Sequence, residues 1–79
     1  MISFEDRLMF KSGHVGHDSE TEKQPSRGFY IVANDSFHYL HTDGAVRASV
    51  KHNGVYSFWP TFEEADKFLS DWRASFDQP

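Results

Sequence analysis

With 79 residues and no cysteine, the chain is read as one domain (residues 1–79) near the small end of what a single core sustains, and neither a disulfide framework nor a thiolate metal site reinforces it. Twelve acidic against eight basic residues give a formal charge of −4, which counts against a general nucleic-acid binder. No apolar run approaches the ~20 residues of a membrane span, and Met1–Asp6 turns acidic at once instead of opening a secretory signal, so a cytoplasmic protein without membrane association is expected.

Residues 1–10 fit two patterns. Ile2, Phe4, Leu8 and Phe10 suit an interrupted alternation, while Ser3 capping toward Asp6 suits a short helix. A strand or extended arm is the preferred reading, because Phe29, Ile31, Leu40 and Phe58 would otherwise leave an apolar patch on one sheet face. Residues 11–27 are polar, with glycine and proline, and read as a loop or flexible linker. Gly28–Ala33 is a strand by composition, Asn34–Ser36 a turn, and Phe37–His41 the returning strand.

Two turn signals follow. Asp43-Gly44, taken as a two-residue hairpin loop, pairs His41 with Val46, Tyr39 with Ala48 and Phe37 with Val50. Asn53-Gly54 pairs His52 with Val55, Val50 with Ser57 and Ala48 with Trp59. Alternation then places Phe37, Tyr39, Val46, Ala48, Val50, Val55 and Trp59 on one face, facing a helix. The other face carries His38, Leu40, Arg47, Ser49, Lys51, Tyr56 and Phe58.

The helix begins after Pro60. Thr61 and Glu64 have the spacing of a capping box. Phe62, Ala65, Phe68, Leu69, Trp72 and Phe76 recur as one apolar stripe, and Glu63 precedes Lys67 by four residues in the favourable order for an ion pair. The expected fold is therefore α+β: an antiparallel meander of three to four strands with one C-terminal helix on one face.

Chemistry is sparse. Five histidines raise the question of a metal: His14, His17 and Asp18 are close in sequence, and His41 and His52 could share one sheet face near opposite ends; without a tight ligand spacing or a cysteine, surface histidines are the preferred reading, with no metal or cofactor. Ser36, Ser49, Ser57 and Ser70 have no nucleophile-elbow context, and no glycine-rich loop opens the helix. A non-enzymatic protein is expected.

Two surfaces remain as binding candidates. The sheet face offers Tyr56, Arg47, Lys51, Phe58 and His38, residue types that suit interface anchors or the stacking of bases. The helix exterior offers Glu63, Asp66 and Asp71 as a phosphate-mimicking acidic face. Val46–Val50, Asn53-Gly54, Phe58 and the helix start Thr61–Ala65 together resemble the three-strand-plus-helix pattern of integrase arm-binding and plant ethylene-response DNA-binding domains. That resemblance covers about 30 residues, and it implies DNA contacts at Arg47, Ser49, Lys51 and Tyr56. In length, acidity, lack of cysteine and one-sheet-one-helix plan, the chain also resembles small phage-encoded inhibitors of the anti-CRISPR type. This second resemblance implies a mobile-element inhibitor that blocks a host-defence or nucleic-acid-handling complex, and a protein partner is the leading expectation. DNA binding through the sheet is the alternative, and a structural or dimerising module the third reading.

Overall fold

The structure, a computed structural model, describes residues 4–17 and 28–77, without the side chains of residues 4, 76 and 77. In chain order it contains α1 (Phe4–Lys11), β1 (His14–His17), β2 (Phe29–Val32), β3 (Tyr39–Leu40), β4 (Val46–Arg47), β5 (Lys51–His52), β6 (Val55–Tyr56) and α2 (Phe62–Asp77). Strands β1 to β4 form an antiparallel meander in that order, and β5 and β6 form a separate two-stranded ribbon. The fold is α+β.

Helix α2 starts as its sequence dictates. The Glu64 amide donates to the Thr61 hydroxyl at 3.1 Å, and that hydroxyl donates to the Glu64 carboxylate at 3.2 Å. The carboxylate thus reaches back to the Thr61 hydroxyl, not to its backbone amide. Ala65, Leu69 and Trp72 are buried and Phe68 half-buried, so the middle of the stripe faces the sheet. Phe62 at its start is half exposed, with its ring edge-on to Phe29; the Phe76 side chain lies outside the described residues. Lys67 bonds Asp71 at 3.1 Å, one turn C-terminal to it, instead of the expected Glu63.

The N-terminal segment is a helix, not the strand or arm favoured from its sequence. Acidic Glu5 and Asp6 lie in its first turn and Lys11 in its last, an arrangement that complements the helix dipole. Phe10 is fully buried and meets Trp72 edge to face at 5.4 Å. Arg73 reaches back to donate to the carbonyls of Phe10 (2.8 Å) and Gly13, which satisfies groups left open at the end of α1. Both helices therefore share one side of the sheet, and α1 does not cover the other. His14–His17 forms a strand within the stretch read as a loop; residues 18–27 lie outside the described residues.

The core joins Phe10, Ile31, Ala33, Leu40, Trp59, Ala65, Leu69 and Trp72. On the sheet, Val15 opposes Ile31, Ile31 opposes Leu40, and Leu40 opposes Val46 in one continuous apolar row. Chain β3 leaves the sheet after Leu40, and Trp59 occupies the vacated row beside β2. Phe29 and Trp59 exchange two backbone hydrogen bonds of 2.8 Å each. Trp59 is thus taken by Phe29, not by Ala48. Next to it, Gly28 adopts φ 118°, and a Cβ there would collide with the Trp59 carbonyl oxygen. Only glycine fits such a close, left-handed approach.

The two turns resolve differently. At Asn53-Gly54 both residues have positive φ (52° and 80°), and His52 pairs with Val55 as expected. At Asp43-Gly44 only Gly44 does (87°), the His41 amide bonds the Ala45 carbonyl, and Leu40, not His41, opposes Val46. This is a three-residue loop with a bulge at glycine. The register shifts by one residue, so β3 turns over: Leu40 enters the core, and Tyr39 joins Arg47 on the opposite face. Phe37, expected to face the helix, is 73% exposed in the turn, and Val55 is exposed at the ribbon tip.

Candidate functional site: an aromatic face of sheet and ribbon

The strand from Val46 to His52 read from the sequence breaks at Ala48–Val50. Ser49 bends it locally, its hydroxyl accepting from the Lys51 amide two residues on at 3.1 Å. The Ser49 carbonyl, which a neighbouring strand would have engaged, instead accepts from His41 Nε2 at 2.6 Å. The break separates the β5–β6 ribbon from the four-stranded sheet, whose face away from the helices carries Tyr39 and Arg47.

That face carries a continuous run of rings. Tyr39 and Tyr30 meet edge to face with centroids 5.7 Å apart; Tyr30 lies 6.3 Å from Phe58, and Phe58 stacks on Tyr56 at 5.4 Å and 8°. The Lys51 ammonium stands 5.4 Å from the centre of the Tyr56 ring, a cation–π contact. Arg47 is the cross-strand partner of Tyr39. Tyr30, Tyr39, Phe58 and Arg47 are half-buried, while Tyr56 and Lys51 are exposed. On β1, Gly16 opposes Tyr30, and a Cβ there would meet the phenol ring at 2.7 Å. The glycine lets this ring lie down against the edge strand.

Four of the five residues expected on this surface are brought together: Tyr56, Arg47, Lys51 and Phe58. His38 is not among them. It precedes Leu40 by two residues, on that residue's side of β3, and bonds Asp35 at 3.1 Å in the β2–β3 turn. Tyr30 and Tyr39 were missed, Tyr39 because of the register shift and Tyr30 because strand β1 lay hidden in a polar stretch. An alternation count on Phe29–Val32 against Gly16 carries the only sequence signal for Tyr30.

The electrostatics of the face are close to balanced. Asp43 accepts from both terminal nitrogens of Arg47, at 3.2 and 3.1 Å. This ion pair and the Ala45 amide hold the Asp43 carboxyl at about 2, below its usual 3.8. Arg47 is therefore compensated, and Lys51 remains as the outward cation. In the β2–β3 turn, the Phe37 amide and His38 lower the Asp35 carboxyl from its usual value. The alternative acidic residues Glu63, Asp66 and Asp71 are exposed on the outside of α2, beyond the core from the aromatic face.

Among the described residues, His41 and Ser57 are the buried polar side chains, 2% and 6% exposed. Ser57 Oγ lies 2.8 Å from His41 Nδ1. A serine–histidine contact suggests a nucleophile and its base, but its partners argue otherwise. The second imidazole nitrogen bonds a backbone carbonyl where a triad has its carboxylate, and the Thr42 amide donates to the same Ser57 oxygen at 3.4 Å. The hydroxyl is enclosed and fully engaged. Among the described residues, no three His, Asp or Glu side chains converge into a group that could hold a metal ion. His14 and His17 lie on opposite faces of β1, His17 tilted against Phe29 at 4.8 Å; Asp18 lies outside the described residues. Among those residues no helix is long and apolar enough to cross a membrane. No family model, curated protein or solved structure matches the chain.

Proposed function

We propose that the chain is a non-enzymatic binding module that acts by occupying a partner protein, with the aromatic face as its docking surface. The observation that carries this reading is the unbroken series Tyr39, Tyr30, Phe58 and Tyr56 flanked by Arg47 and Lys51. Aromatics and arginine are the residue types that dominate protein interfaces. The low net charge of the face favours a protein over a nucleic acid, whose affinity comes mainly from phosphate neutralisation. Arg47 is already paired with Asp43, and the chain as a whole is acidic. A small domain with one such face and a sealed serine–histidine pair suits an inhibitor that blocks a larger complex. A role of the anti-CRISPR type, encoded on a mobile element and working in the cytoplasm, is the specific form proposed.

DNA binding through the sheet is the second reading, favoured by the parallel Tyr56 and Phe58 rings, since bases stack on such platforms. The test starts from recovery of the partner with the tagged chain from its native host, followed by titration. Tyr56→Ala and Arg47→Ala should each weaken binding by more than about 1 kcal/mol, in the range of interface hot spots, with the fold intact. Glu63→Lys with Asp66→Lys should change it little. The reverse order would move the site to α2. Salt-sensitive binding of single-stranded or duplex DNA, abolished by Arg47→Ala with Lys51→Ala, would replace the protein reading.

A further inference from the structure

The aromatic face is built from two pieces. Tyr30, Tyr39 and Arg47 belong to the four-stranded sheet, whereas Lys51 and Tyr56 belong to the ribbon, with Phe58 just beyond it. His41 carries hydrogen bonds from one piece to the other. The Ser49 carbonyl can only accept, so Nε2 bears the hydrogen and Nδ1 accepts from the Ser57 hydroxyl. The same Ser57 oxygen receives the Thr42 amide. We infer that His41 and Ser57 are an acid-sensitive latch, closed with neutral imidazole, that fixes the ribbon to the sheet and so aligns the two halves of the aromatic face.

The chemistry of the latch gives its direction. Protonation turns Nδ1 from an acceptor into a donor, directed at a hydroxyl that already receives the Thr42 N–H. The Ser57 hydrogen then loses its acceptor inside a site that water barely reaches, and such a loss is costly. Among the described residues the ring nitrogens bond Ser49 and Ser57 and no carboxylate, and Asp43 offsets an imidazolium charge only through space. The charged and titratable groups set beside it are Asp43 on the β3–β4 turn and His52 on β5. Asp43 is held by Arg47, and the His52 ring stands perpendicular to His41 at 6.3 Å, so a second imidazolium would repel the first. Acid therefore opens the latch, while the core behind Leu40 stays closed. That opening would also split the docking surface, a consequence that rests on the function proposed above; the latch itself is tested on the free chain.

Amide exchange and histidine 15N spectra followed from about pH 7.5 to 5, the range in which histidines change charge, provide the test. At the upper end His41 should show the Nε2–H tautomer. On acidification, protection of the Lys51–Ser57 amides should fall at least tenfold relative to those of Ala65–Trp72. His52→Gln should keep the transition, and His41→Gln should abolish its pH dependence. Where His41→Gln also unprotects the α2 amides, Ser57→Ala replaces it, with a ribbon already loose at neutral pH and a flat pH response. An Nδ1–H tautomer, ribbon protection independent of pH in the unmodified chain, or the same transition in His41→Gln would overturn the latch.

Discussion

Replacing Trp72 with alanine tests how the two helices and the sheet are held together. Trp72 is 8% exposed, meets Phe10 of α1 edge to face at 5.4 Å, and donates its indole N–H to the Gly44 carbonyl at 3.3 Å. It thus touches α1, α2 and the β3–β4 turn. Truncating a buried aromatic of this size costs about 3–5 kcal/mol. Within that figure, the edge-to-face pair contributes about 0.5–1.5 kcal/mol beyond area burial and the hydrogen bond about 0.5–1.5 kcal/mol. At 0.05–0.15 kcal/mol per residue, a chain of this length has about 4–12 kcal/mol in total. Trp72→Ala should therefore remove about a quarter or more of the stability, and Trp72→Phe, which keeps most of the ring contact, considerably less. Urea unfolding followed by far-UV circular dichroism, with Trp59 fluorescence as a second probe, measures both. A loss below about 1 kcal/mol for the alanine variant, well under the ~3–5 kcal/mol of buried-aromatic truncations, would refute the placement of Trp72 between the helices.

Three further outcomes follow from backbone and charge. Gly28→Ala combines a positive φ with a Cβ set against the Trp59 carbonyl; it should cost at least the ~1–3 kcal/mol of a strained residue and lower the melting temperature. Arg73→Ala removes two charge-assisted bonds to the end of α1, each worth about 1.5–3 kcal/mol, and should expose α1 amides to exchange before those of α2. Asp43 has a carboxyl lowered from 3.8 to about 2, first by Arg47 and then by the Ala45 amide. Its stabilising contribution is therefore full above pH 3.8 and lost as the pH falls through about 2. Carboxyl 13C titration should find that midpoint, and Arg47→Ala should move it upward.

Local signals explain what could be read directly. The Thr61–Glu64 cap, the Ala65, Leu69 and Trp72 spacing, and the Asn53-Gly54 turn each depend on neighbours within a few residues. They survive folding because nothing distant competes with them. Helix α1 was less legible: its eight residues are too few for a stable isolated helix, and it holds through Phe10 against Trp72 and through Arg73, both some 60 residues away in sequence. Strand β1 has only Val15 as an apolar residue and exists because β2 offers it a partner edge. The His41–Ser57 pair also joins distant residues, and neither has a local context that marks it.

The aromatic face itself turned on a single residue of register. Asp43-Gly44 and Asn53-Gly54 both read as two-residue hairpins, which require positive φ at both central positions. Asn53 adopts that conformation, at φ 52°. Asp43 does not, because its carboxylate is engaged elsewhere: it accepts the Ala45 amide at 3.0 Å and grips Arg47. An Asx turn of this kind holds Asp43 on the ordinary side of φ and leaves Gly44 alone to reverse the chain. The loop gains one residue, and β3 inverts against β4. Leu40 then completes the apolar row with Ile31 and Val46, and Tyr39 is left on the opposite face beside Arg47. The same carboxylate that sets the register thus also neutralises the arginine of the face it creates. For that reason the surface is aromatic first and basic only second.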